Sequence, residues 1–135
     1  MPRFKTHLAI GIATGSAYSL AIQTYRQNLN PDLPQEINPV HVAACAFAAA
    51  LGGCAPDIFE PADRRTGPNH RGVLHSFAVA GIGIKGAHHL AFCETGSTNE
   101  RWLADLIGAF YAGYVSHLAA DALTPNSLNL VCTGW

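Results

Sequence analysis

The chain has 135 residues, 49% of them hydrophobic and only 13% charged, with a formal net charge of -1. That length supports one hydrophobic core and is short for two, so a single domain over residues 1–135 is expected. A charged fraction far below the roughly 25% of an average soluble domain, spread almost evenly between the two signs, excludes an acidic tail and an extended nucleic-acid-tracking surface.

The N-terminal stretch MPRFKTHLAIGIATGSAYSLAI places basic residues before an apolar run, as a signal peptide does. His7 leads that run, Ser, Thr and Gly interrupt it, and no clear small-residue cleavage site precedes Gln23, so a retained helix over about residues 4–26 is expected. The loop NLNPDLPQEINP, with three prolines, follows. Pro39 suits a first helical turn, and the Ala-rich run VAACAFAAALGGCA predicts a second helix over about residues 38–53, stopped by Gly52 and Gly53. Next comes a long loop from Pro56 to Ser76, PDIFEPADRRTGPNHRGVLHS, which gathers Asp57, Glu60, Asp63, Arg64, Arg65 and Arg71. A third helix is expected from Arg71 or Gly72 to about Phe92, and a fourth from about Asn99 to Leu123, ended by Pro125. Strand-like alternation is missing and β-branched residues are sparse. The expected fold is all-α: a compact bundle of four to five helices with a long motif-bearing loop between helices two and three.

Small residues recur at helical spacing, as Gly11 with Gly15 and Ala109 with Gly113, and allow close helix contact. The run from Val42 to Ala55 has 14 residues, Lys85 divides helix three, and Asp105, His117 and Asp121 divide helix four. Runs of that length mark buried core helices more often than spans. The pattern therefore favours a soluble bundle, cytoplasmic or peripheral to the cytoplasmic face of the inner membrane, with integral insertion left open. Cys45, Cys54, Cys93 and Cys132 form no CxxC pair and read as reduced thiols.

His117 and Asp121, four apart in GYVSHLAADALTP, project from one helix face and can share an ion. Their neighbours are apolar, so little nearby in sequence compensates a buried carboxylate. NHRGVLHS supplies His70 and His75, Asp57 adds a carboxylate after Pro56, and His7 adds an imidazole near the chain start. Imidazole with carboxylate suits zinc first and manganese second. This donor set exceeds one four-coordinate ion, so either two ions or some second-layer orienting groups are expected. A catalytic ion would activate water, and Arg71 would suit a phosphate oxygen. Asp63, Arg64 and Arg65 read as a solvated face, and His41, His88 and His89 as structural or surface residues. Trp102, Phe110, Tyr111 and Tyr114 read as core.

Taken together, THLAIG, APDIFEP, NHRGVLHS and GYVSHLAADALTP resemble the bacterial membrane-bound metal-dependent hydrolases, over about Thr6 to Leu130. That family looks like a helical relative of zinc-dependent phospholipase C and the single-strand-specific zinc nucleases. The resemblance implies phosphodiester hydrolysis, with His7, Asp57, His75, His117 and Asp121 as metal ligands and His70, Arg71 and Ser76 as catalytic residues. It also implies a phosphate-containing small molecule or lipid as partner, alongside a membrane surface or a second copy of the chain. Phe59 stands where many relatives carry a second acid, so either Glu60 next to it substitutes or that metal position is absent. The competing expectation is a non-enzymatic membrane-associated or scaffold protein whose polar network, with or without a structural ion, organises an apolar bundle.

Overall fold

Four helices account for the computed structural model, which describes residues 4–32, 36–59, 74, 76–94 and 96–123. Helix α1 is Phe4–Leu29, α2 is Pro39–Phe59, α3 is Phe77–Phe92 and α4 is Thr98–Ala122. Local chemistry sets three of the four starts. The Asn38 side-chain oxygen accepts from the Val40 and His41 amides at 3.0 and 3.2 Å, with Pro39 following in the first turn. Ser76, in extended backbone, accepts from the Val79 amide and caps α3. Ser97 and Glu100 cap α4 reciprocally, each side chain accepting from the other's end of the first turn.

Two boundaries differ from the sequence reading. Gly52 and Gly53 do not stop α2, which runs on to Phe59 and carries Pro56 and Asp57 in its last turns. The helix-propensity cost of the two glycines, about 1 kcal/mol each, is offset by contacts on both sides. A Cβ on Gly53 would lie 3.2 Å from the His7 carbonyl and 3.5 Å from that of Gly113, and one on Gly52 would overlap the Phe110 carbonyl. Helix α3 starts at Phe77, later than Arg71 or Gly72, because Ser76 supplies the cap.

The helices run up, down, up, down, with α1, α2 and α4 in mutual contact and α3 laid against α4. Their middle is closed by small residues. A Cβ at Gly15 would overlap the Cys45 carbonyl, and one at Gly113 the Ala49 carbonyl, so α1 and α4 approach the α2 backbone directly. Cys45, Ala49 and Ala109 are buried there, and Ala55, Tyr114 and Leu118 form a second apolar group nearer the other end of α2.

Polarity is distributed unusually. Buried side chains include His7, Ser19, His41, Asp105, His117 and Asp121, whereas Val40, Phe47, Leu51 and Ile58 on α2, Ile82 and Ile84 on α3 and Leu103 on α4 are more than half exposed. Exposed hydroxyls turn back on their own helix, as Ser16 does onto the Ile12 carbonyl at 2.9 Å. Apart from Lys85, His88 and His89 on α3, the exposed helix middles are largely apolar, and polar groups sit at selected points inside.

Candidate functional site

At one end of the bundle four polar side chains from three helices converge. His7 enters from the first turns of α1, Asp57 from the last turn of α2, and His117 and Asp121 from successive turns of α4. Because α2 runs past its glycines, Asp57 is carried into the cluster by a helix and not by a loop. His117 is fully buried, and its Nδ1 lies 2.7 Å from the Gly53 carbonyl oxygen. A carbonyl only accepts, so Nδ1 carries the proton and, in the neutral ring, the Nε2 lone pair points the other way.

That lone pair faces the remaining donors. Nε2 of His117 is 3.7 Å from Asp57 Oδ1 and 3.5 Å from Asp121 Oδ2, while His7 Nε2 is 3.6 Å from Asp121 Oδ1. The two imidazoles stack with centroids 3.8 Å apart, and one ligand atom each from His7, Asp57 and His117 lies within 4.8 Å of the others. Separations of this size exceed the roughly 2.7–3.2 Å of a good hydrogen bond. They approach the roughly 3.3 Å edge of a tetrahedron drawn at zinc–nitrogen bond length. Exposure is 2% for His7, 0% for His117 and Asp121, and 27% for the Asp57 side chain, so water reaches the cluster from the Asp57 side.

Of the residues named from sequence, His7, Asp57, His117 and Asp121 are thus brought together. Ser76, expected as a catalytic hydroxyl, is buried at the start of α3 and accepts from the Val79 amide as its cap. His70, Arg71, His75 and Glu60 lie outside the described residues. Phe59 is 73% exposed.

A second buried cluster occupies the opposite end and was not legible as a site. Asp105, 1% exposed, accepts from both terminal nitrogens of Arg26 at 2.6 and 2.7 Å and bonds His41 Nε2 at 2.9 Å. His41 Nδ1 is 2.7 Å from the Ser19 hydroxyl, which also accepts from Gln23 Nε2 at 2.9 Å. Arg26 reaches the Ala91 carbonyl as well, at 3.4 Å, and the edge of Trp102 packs on the His41 ring. All four helices are therefore tied at this end. His41, read as a structural or surface residue, is buried and structural; the only sequence signal was Asp105 interrupting an apolar run.

Fold and site define a small helical bundle with a largely apolar exterior and a buried histidine–carboxylate centre. The chain belongs to the YdjM inner membrane protein family, whose model matches residues 1–132. No curated protein and no solved structure matches it. The family corrects the resemblance to membrane-bound metal-dependent hydrolases related to zinc-dependent phospholipase C and zinc nucleases: the match spanning all four motifs is to an inner membrane protein family, and no hydrolase is named in it. It likewise moves the balance from a soluble bundle to membrane association. Within the described residues one helix, α2, is long and apolar enough to cross a membrane.

Proposed function

We propose that this chain is a membrane-embedded helical bundle organised by a divalent metal ion, zinc by donor chemistry and manganese as second choice, held between His7, Asp57, His117 and Asp121. The observation that carries the proposal is the His117 Nδ1 bond to Gly53, which aims Nε2 at two carboxylates 3.5 and 3.7 Å away. An orienting bond on the far nitrogen of a ligating histidine is the usual support of such a site. An ion there joins α1, α2 and α4 through the buried Asp121 and the partly exposed Asp57. Embedding is supported by the family, by the apolar outer face of α2, and by the inward-facing Asp105 and Asp121 of α4. Lys85, midway along α3, is exposed.

Protein extracted in detergent should contain near-stoichiometric metal, and the double variant His117→Ala, Asp121→Ala should lose it. A metal-free preparation that refuses added zinc and manganese would sink the proposal.

The accessible Asp57 favours a second reading, in which the ion keeps a water position and hydrolyses a phosphodiester or phospholipid-like substrate. Metal-dependent turnover of a chromogenic phosphodiester by the wild-type chain, lost together with the metal in the His117→Ala, Asp121→Ala variant, separates this reading from a purely structural ion.

A further inference from the structure

The two polar clusters lie at opposite ends of the bundle. Helical rise puts them about 28 Å apart along α1, from His7 to Arg26, and about 24 Å apart along α2, from His41 to Asp57. A bilayer core is of similar thickness, about 30 Å. Packing fixes which connections leave at which end. Helix α1 is antiparallel to α2, with Gly15 against Cys45 and the His7 carbonyl near Gly53. Helix α2 is parallel to α4, since His41 meets Asp105 at one end and Asp57 meets His117 at the other. Helix α3 is antiparallel to α4, with Gly83 against Val115 and Cys93 bonded by Arg101. The α1–α2 and α3–α4 connections therefore leave at the Asp105 end. The start of α1, the end of α2 and the start of α3 lie at the metal end.

Basic residues follow the same division. Arg3, Lys5, Arg64, Arg65 and Arg71 belong by sequence to segments attached at the metal end. The Asp105 end has Arg26 and Arg101; Arg26 is paired with Asp105 and Arg101 donates to the Cys93 carbonyl. Lys85 lies within α3 and counts for neither end. Lys and Arg in short flanking segments are retained on the cytoplasmic side during insertion, whereas Asp and Glu carry little weight. We infer that the metal end faces the cytoplasm, so that the ion at His7, Asp57, His117 and Asp121 is drawn from the cytoplasmic side. This inference rests on the embedded reading above.

A membrane-impermeant maleimide tests it in spheroplasts, using Asp32→Cys in the α1–α2 connection and Thr66→Cys in the α2–α3 connection, each in a C93S, C132S background. Cys45 and Cys54 are buried and stay in place. The expected result is labelling of Asp32→Cys in intact spheroplasts and of Thr66→Cys only after permeabilisation. The reverse pattern overturns the orientation and leaves the embedded reading standing. Equal labelling of both positions from one side overturns the embedded reading itself. Should either variant fail to accumulate, green fluorescent protein fused after Trp135 of the otherwise unaltered chain should fluoresce; a dark fusion, with an active alkaline phosphatase fusion at the same point, overturns the inference.

Discussion

Asp105 and Asp121 illustrate two ways of keeping a carboxylate inside an apolar bundle. Asp105 is met by a two-pronged guanidinium and an imidazole, a pairing that uses most of its acceptor capacity. Replacing it with Ala leaves Arg26 and His41 facing each other, and breaking such a buried pair costs about 3–5 kcal/mol. Because Arg26 keeps some water contact, with 28% of its side chain exposed, the lower end of that range is expected for Asp105→Ala, read as a loss of unfolding free energy in detergent. Asp121 instead faces imidazole nitrogens at 3.5 and 3.6 Å, distances suited to a shared ion. Its replacement should act through metal content first and stability second. This difference also explains what the sequence disclosed. His117 and Asp121 are four apart, so a helix alone unites them, and His7 and Asp57 stand out as polar groups at the ends of apolar runs. Arg26 and His41 lie 79 and 64 residues from Asp105, and no local pattern connects them before the helices pack.

Helices were read well where composition changes and poorly where packing overrides it. Ala-rich composition marks the second helix but not its end, because the contacts that hold Gly52 and Gly53 in the helix come from α1 and α4. Small-residue spacing at Gly11 with Gly15, and Ala109 with Gly113, did announce close contact, and all three of these glycines lie against α2 backbone. Gly113→Ala forces its methyl into the Ala49 carbonyl, so α4 must move away from α2; overpacking of this kind costs about 1–3 kcal/mol. The control is Gly81→Ala on α3, where a Cβ meets nothing within 4 Å. That change should be neutral or should stabilise by up to about 1 kcal/mol through helix propensity. Chemical or thermal unfolding of the two variants in the same detergent gives the comparison, and equal effects would argue against direct backbone contact at Gly113.

At the scale of the whole molecule the bundle is polar at both inner ends, tightly closed by small residues between them, and largely apolar outside. This arrangement explains why composition alone misled: charges at Lys85, Asp105, His117 and Asp121 break the apolar runs that a spanning segment should show, yet three of those four residues are buried. A ligand that binds only the folded state at 100 times its dissociation constant stabilises by about 2.7 kcal/mol. Chelation at constant pH should therefore lower the unfolding temperature of the wild-type chain and leave that of the His117→Ala, Asp121→Ala variant unchanged. The most direct single measurement is a cobalt titration of the detergent-extracted, metal-stripped protein followed by visible absorption. A saturable four-coordinate cobalt spectrum is expected at one equivalent, displaced by zinc and missing in the double variant; a spectrum no different from that of hydrated cobalt in buffer would contradict a metal site at these residues.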